Sequence, residues 1–426
     1  MTATDQPFAG IRVVEFGQFI AVPYCSQLLA DGGAEVIKVE PLEGDPSRHL
    51  GPIAPGETRH FVLRNRGKRS LPLELRRPEA RAVLDALLSQ ADVVLTNLRP
   101  GLAREIGLDY GTLAAEHPRL IVGNVTAFGE QGPDAGLPGM DLVVQARSGL
   151  LASNGRLRDG LPVPSDSPAV DYMCAVLLSF GISTALFRRE RTGRGGEVDV
   201  SLLIAALVLQ NNQMVRVAGV DGELHAEVRA WLGTARESGV PYAEQAARQP
   251  TIRTSAMTSI FYRTYATKDA AIAIACVSPG LQRRLLAVLE MEDTAKARGI
   301  TDRGELAGHY SALQGQAETL LASRTTADWK AAFGAAGIPA SEVRFPLEML
   351  DDPQVTANGY VFDQDHPVLG PVRLLSSPVT IDKGGFEPAA AVAPLGSQSH
   401  EILADLGFDP GAVEALLASG VVGVPG

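Results

Sequence analysis

Short β-branched runs alternate with helical stretches through the first 126 residues, and this alternation restricts the fold more than any other feature of the chain. Residues 10–16 read GIRVVEF, residues 21–33 are helical and end at Asp31-Gly32-Gly33, and residues 34–40 read AEVIKVE. A strand, helix and strand at this spacing form a βαβ unit, which requires parallel pairing and a right-handed crossover. The pattern then repeats. Residues 68–75 are strand-like, 78–90 form an amphipathic helix with a proline near its first turn, and 92–96 are an apolar strand. A short helix within 101–116 and a strand at 119–125 follow. The expected class is therefore α/β with a doubly wound large domain, whose ligands gather past the carboxyl ends of the strands. Asn97 and the turn Arg99-Pro100-Gly101 stand just past one such end.

Further along, residues 142–155 are helical and turn at Asn154-Gly155, 162–168 are extended, and 170–190 form a long helix closed by the glycine-rich turn at 192–196. Residues 197–202 restart an ordered element. The stretch 215–250 is polar, Ala-rich and irregular, and is expected to be a crossing linker. A hairpin is expected at 257–277 with its turn at Lys268-Asp269, then helices at 279–292, 304–324 and 326–336. The domain expectation is a large α/β domain from 1–214, a linker at 215–250, a smaller α+β domain at 251–340, and a return segment at 341–426 completing the large domain. That last segment carries a short helix near 346–350, strand-like pieces at 360–362 and 371–381, and a helix near 399–406.

At 426 residues the chain exceeds one ordinary core, and 45% hydrophobic with 20% charged residues marks a soluble, globular composition. No run reaches the roughly 18 uninterrupted apolar residues of a membrane span. The start, MTATDQPFAG, lacks the basic and apolar regions of a signal peptide, so a cytoplasmic location is expected, with no membrane partner. A net charge of −11 speaks against a nucleic-acid partner. Cys25, Cys174 and Cys276 are odd in number and far apart, which indicates neither a disulfide framework nor a metal centre.

Two features bear on chemistry. The run RNRGKR places Arg64, Arg66, Lys68 and Arg69 directly before a strand. Such a run reads either as a solvated turn or, together with the loop at 97–101, as a cradle for the phosphates of a nucleotide-like cofactor. The usual fingerprints are missing: there is no G-x-x-x-x-G-K-S/T, no G-x-G-x-x-G after the first strand, and no G-x-S-x-G. The second feature is Asp171, a carboxylate at the head of the apolar run DYMCAVLL. It reads as a helix N-cap or as a partly desolvated nucleophile, and the two roles are compatible.

In their order and spacing, GIRVVEF, LLADGGAEVIKVEPLEGD, RNRGKRSLPLEL, ADVVLTNLRPG, FGEQGP, RERTGRGGEVDVSL, GIPASEV and DDPQV resemble the family III CoA-transferases over nearly the whole chain. That family includes formyl-CoA and carnitine CoA-transferases and a divergent racemase branch. The resemblance implies an inserted smaller domain, an interlocked homodimer, and transfer of coenzyme A from an acyl-CoA to a free carboxylic acid. Coenzyme A is then substrate and product, with no tightly bound cofactor and no metal. Asp171 matches the family's catalytic aspartate, which forms a mixed anhydride and then an aspartyl-CoA thioester. Gln18, Ile20 and Ala21 are expected near the pantetheine or thioester. Lys38, Lys68, Asn97, Arg99 and Arg104 are expected near the nucleotide, with Lys38 or Arg48 replacing an arginine that several members carry where Pro41 stands. Met140 is expected on the substrate side. It occupies the place of the racemase histidine, and a thioether moves no proton, which argues against the alternative of an acyl-CoA racemase or epimerase. Ile20 stands where formyl-CoA transferase has a glutamine. A third reading is a CoA-binding homologue without turnover, in which Asp171 is only a cap.

Overall fold

A computed structural model describes residues 5–248, 260–382 and 384–424. The chain divides into two compact units, Met1–Arg248 with Pro353–Gly426, and Gln249–Asp352.

The first unit is built on six parallel strands. They are β1 (Arg12–Glu15), β2 (Glu35–Glu40), β3 (Lys68–Pro72), β4 (Val93–Thr96), β5 (Ile121–Thr126) and β6 (Gly196–Ser201). Their order across the sheet is β6-β5-β4-β1-β2-β3. The chain thus winds outward from β1 in one direction, returns, and winds outward from β4 in the other. β1 and β4 are neighbours, and the crevice between their carboxyl ends is the topological switch point.

Alternation along the strands explains how both faces are covered. Val13, Val93 and Leu95 point into one apolar cluster, which also holds residues of α1 (Ala21–Asp31). Val14 and Val94 point into a second, which holds residues of α2 (Ala80–Gln90). Two short helices, α3 (Pro100–Glu105) and α4 (Tyr110–Glu116), follow β4, and α5 (Asp141–Ser148) follows β5. The 24-residue α6 (Ala169–Thr192) then packs beside α1 and over β5. Close approach depends on two glycines. A Cβ on Gly123 of β5 would meet Leu95 Cδ2 at 2.6 Å and Ile182 Cδ1 at 3.0 Å, and one on Gly181 of α6 would meet Val198 Cγ1 at 2.5 Å.

By length and composition α6 could also cross a membrane, a property its interrupted apolar run conceals. Here one face is buried through Val170, Cys174, Leu178, Ile182 and Leu186. The opposite face exposes Val176, Phe180 and Phe187.

Several boundaries differ from expectation. Residues 215–248 are not irregular: they contain α8 (Ala218–Glu237) and α9 (Tyr242–Ala247), preceded by α7 (Leu202–Val208). Val220, Leu224, Val228, Trp231 and Ala235 recur at helical spacing through α8, a periodicity that the polar composition masks. The strands of the return segment pair with each other, Val361–His366 against Gly370–Leu375, and not with the main sheet. A further helix at Pro410–Ala418 closes the second cluster through Val413.

The second unit has a three-stranded antiparallel sheet of Tyr262–Ala266, Ala271–Ala275 and Ala340–Glu342. The expected hairpin is present, although its first residues, 257–259, lie outside the described residues. Helices Pro279–Val288, Arg303–Leu321 and Thr326–Ala335 accompany the sheet, and Trp329 and Phe333 stack at 5.5 Å in the core.

Candidate active site

At the switch point the turn after β1 is locked from several sides. The side-chain amide of Asn97, just past β4, accepts from Gln18 N at 3.0 Å and donates to Gln18 O at 2.8 Å. Lys38 Nζ donates to Gly17 O at 2.7 Å, and Asp45 Oδ1 lies 3.4 Å from Phe19 N. Phe19 has φ 64°, the left-handed region that non-glycine residues seldom occupy. Such strain persists only where neighbours overdetermine it. Asn97 therefore acts on this turn through the backbone. Ile20 caps α1 without a side-chain hydrogen bond, and Ala21 is its buried first residue.

Two of the expected nucleotide-binding cations turn away from solvent. Lys38 and Lys68 are 1% and 5% exposed, and their ammonium groups face inward. Lys38 Nζ meets Glu15 Oε1 at 2.8 Å and Asp45 Oδ2 at 2.9 Å, while Lys68 Nζ meets Glu15 Oε2, Pro23 O and Asn65 Oδ1, each at 2.8 Å. Burial alone would raise Glu15, but the two lysines outweigh it and hold its carboxyl below the ordinary range. Burial lowers Lys68 to about 8, against the pull of Glu15. Arg48, the other candidate replacement at Pro41, grips Glu40 with two hydrogen bonds of 2.8 and 3.0 Å and lies 3.6 Å over the Phe61 ring.

The whole RNRGKR run is neither a solvated turn nor an open cradle. Arg66 makes a bidentate pair with Asp31 at 2.9 and 2.6 Å, and Arg69 reaches Glu35 and Asp405. Glu15 of β1 faces Lys38 of β2 in register, Lys68 of β3 lies two positions from the residue that faces Lys38, and a buried cation must be paired. Arg99, at the N-cap of α3, and Arg104 within that helix are the expected cations that remain exposed.

Arg64, 5% exposed, goes to the head of α6. Its Nε donates to Tyr172 Oη at 3.1 Å, its Nη1 donates to His60 O at 3.0 Å, and its guanidinium lies 5.3 Å from the Tyr172 ring centroid. Tyr172 in turn meets Tyr24 of α1 edge to face at 5.0 Å. Tyr24 is about one turn into α1. The first turn of α6, with Asp171, therefore sits beside the first turn of α1 and the locked loop that precedes it.

Asp171 itself is not the N-cap. Pro168 holds that position, and Asp171 is the third residue of the helix. The capping oxygen comes from elsewhere: Asp141 Oδ2 accepts from Val170 N at 3.0 Å and from Asp171 N at 3.1 Å. Among the described residues the Asp171 carboxylate accepts no hydrogen bond. Burial pushes its pKa up to about 7, the Asp141 charge adds to the rise, and Arg64 opposes it. A carboxylate held ionised by its helix end was expected. Burial prevails because the helix end already has its anion. Met140, 52% exposed, precedes Asp141 at the N-cap of α5.

Sequence reasoning missed Asp141, Tyr172 and Tyr24, and assigned Arg64 to the basic run rather than to the head of α6. Only the order Met-Asp before a helical stretch hinted at the first. Cys25, Cys174 and Cys276 are free and buried, and burial raises Cys25 to about 12 and pushes Cys174 up, which leaves no reactive thiolate there. A separate trio of exposed carboxylates, Glu130, Glu197 and Asp199, has its oxygens within 4.8 Å of one another around β6. Burial, with the charges of Asp199 and Glu130, raises Glu197 to about 7.

Comparison with known proteins fits this arrangement. A cinnamoyl-CoA:phenyllactate CoA-transferase of Clostridium sporogenes is 28% identical over 424 residues, covering 96% of this chain and 95% of that protein. A succinate–glutarate CoA-transferase of Agrobacterium fabrum is 31% identical over 419 residues, covering 94% of this chain and 96% of that protein. The crystal structure of the Mycobacterium tuberculosis protein Rv3272 superposes with a TM-score of 0.73 at 27% identity, over 93% of this chain and 99% of that one. The sequence profile of CoA-transferase family III matches residues 8–399, and the chain belongs to that family.

Proposed function

We propose that this enzyme transfers coenzyme A from an acyl-CoA donor to a free carboxylic acid through covalent intermediates on Asp171. An Asp171 oxygen attacks the thioester carbonyl, the C–S bond breaks, and CoA thiolate leaves a mixed anhydride. The thiolate then attacks the Asp171 carbonyl, expels the donor carboxylate and forms an aspartyl-CoA thioester. The acceptor carboxylate attacks that thioester, releasing thiolate and forming a second anhydride. Thiolate attack on the acceptor carbonyl yields the new acyl-CoA and restores the Asp171 carboxylate. No redox change occurs, and each difficult attack is divided into two easier ones. Oxyanions formed on the way need donors, most simply backbone N–H groups.

The observation that carries this reading is Asp171 itself: a largely buried carboxylate that accepts no hydrogen bond among the described residues, beside the switch point, whose capping duty Asp141 performs. A carboxylate freed from capping and poorly solvated is poised to attack. Gln18, Ile20 and Ala21 line the adjoining turn for the pantetheine arm, and the exposed Arg99 and Arg104 suit the nucleotide phosphates.

The same proposal includes a homodimer. Val176, Phe180 and Phe187 fall within about 40° of one another on the α6 wheel, and Phe180 and Phe187 are 71% and 65% exposed. An apolar stripe of this kind in water calls for a covering surface, here a second copy. Sedimentation of the purified chain tests it: a dimer is expected, and a monomer at micromolar concentration contradicts it. Three buried free cysteines suit a reducing cytoplasm, which fractionation of the source cells tests. A panel of acyl-CoA donors incubated with free carboxylic acids tests the reaction. New acyl-CoA formed in equal amount to donor acid released supports transfer, whereas hydrolysis or epimerisation alone contradicts it.

A further inference from the structure

A neutral Ser, Thr or Asn would cap a helix as well as a carboxylate does. Yet the cap of α6 is an anion, Asp141, delivered from α5. Its Oδ2 takes the amides of Val170 and Asp171 at 3.0 and 3.1 Å, and its Oδ1 accepts from Gln145 Nε2. Gln145 is buried, so the Asp141 carboxylate is held from both sides.

We propose that Asp141 is a positioning residue for the exchange reaction, fixing the first turn of α6 through two backbone amides and placing its carboxylate against Asp171. The proposal rests on Asp171 being the nucleophile. Two carboxylates share one positive helix end. Burial, with the charge of Asp141 beside it, makes Asp171 hold its proton more tightly. A more basic carboxylate attacks a thioester more readily, provided that it is ionised. Opposing charges come from few groups. Arg64 lies on the far side and favours the ionised form. Cys174 on the same helix, and Tyr24 and Cys25 on α1, are pushed up by burial and stay neutral near pH 7. Burial raises Asp171, and Asp141 and Arg64 are the two charges that adjust where it ionises.

The test titrates Asp171 directly, by carbon NMR of the full-length protein labelled at aspartate side-chain carboxyls, with the resonance assigned from Asp171→Asn. Asp141→Asn keeps an oxygen for the two amides and removes the charge, and Asp141→Ser is a second neutral cap. In both, the Asp171 midpoint is expected to fall by about one pH unit or more, and the acid limb of kcat/KM is expected to move with it. An unmoved midpoint and an unmoved profile in either folded variant overturn the proposal. Hydroxylamine trapping on the parent enzyme runs alongside. A hydroxamate at Asp171 with an unmoved midpoint removes only the role of Asp141, whereas no hydroxamate removes the nucleophile on which the proposal stands.

Discussion

The Asp141 carboxylate caps the helix that carries Asp171, with Oδ2 3.1 Å from the Asp171 amide, so the two acids share one helix end and divide its work. One takes the hydrogen bonds and the other is left without them. A carboxylate at a helix head is normally its own cap, and the transfer of that duty to a neighbour distinguishes this site from an ordinary helix start.

The first consequence is a pH profile. With Asp171 titrating at about 7, the ionised nucleophile is the minor form below that pH. At subsaturating acyl-CoA, kcat/KM is expected to fall about tenfold per pH unit on the acid side. A rate that stays flat from pH 8 to pH 5 would contradict it.

Stability moves the other way. A carboxyl raised from 3.8 to about 7 disfavours the folded state once the unfolded chain ionises: the penalty begins near pH 4, grows to pH 7 and is complete above it. Asp171→Asn should therefore stabilise the fold at pH 8, by roughly 2–4 kcal/mol, with the gain fading towards pH 4. Activity should drop by about 10³-fold or more. Urea unfolding at pH 8 and pH 4.5 checks the sign, and equal or reversed differences at the two values would count against the raised pKa.

Lys68 separates a structural cation from a ligand-binding one. Lys68→Ala leaves Glu15 buried with Lys38 alone, and is expected to destabilise the enzyme by about 3–5 kcal/mol. Arg99→Ala and Arg104→Ala, both exposed, should change stability by less than about 0.5 kcal/mol and raise KM for acyl-CoA about fivefold each. A Lys68→Ala enzyme of normal stability with weakened CoA binding would restore Lys68 to the nucleotide.

Packing at Gly123 offers a test of the scaffold. A methyl group there would meet Leu95 and Ile182 at 2.6 and 3.0 Å, so Gly123→Ala should destabilise by about 1–3 kcal/mol, readable by thermal unfolding. An unchanged melting temperature would mean that α6 can withdraw from the sheet freely.

Much of this was legible in the sequence. The βαβ rhythm of residues 10–126 anticipated five of the six parallel strands, and the sixth, Gly196–Ser201, was read only as an ordered restart because it is half polar. Asn97 and Gln18 were correctly placed at strand ends. Their mutual clamp was not readable, since it joins residues 79 apart. The basic run misled for a physical reason. Sequence shows that Arg66 and Lys68 are charged, but not that Asp31 meets the one from the end of α1 and Glu15 the other from β1. Asp171 stood out at the head of an apolar run, with its catalytic role implied by the family resemblance alone, whereas Asp141 lay 30 residues away with nothing local to connect them. Residues 215–248 were misjudged because their polar, Ala-rich composition outweighed the helical recurrence of Val220, Leu224, Val228, Trp231 and Ala235.

The central claim is that Asp171 becomes covalently acylated. Incubating the enzyme with acyl-CoA and hydroxylamine, digesting it and measuring peptide masses tests this most directly. The account predicts a hydroxamate on Asp171, absent from Asp171→Asn and absent without acyl-CoA. An unmodified Asp171 in enzyme that is turning over would contradict it.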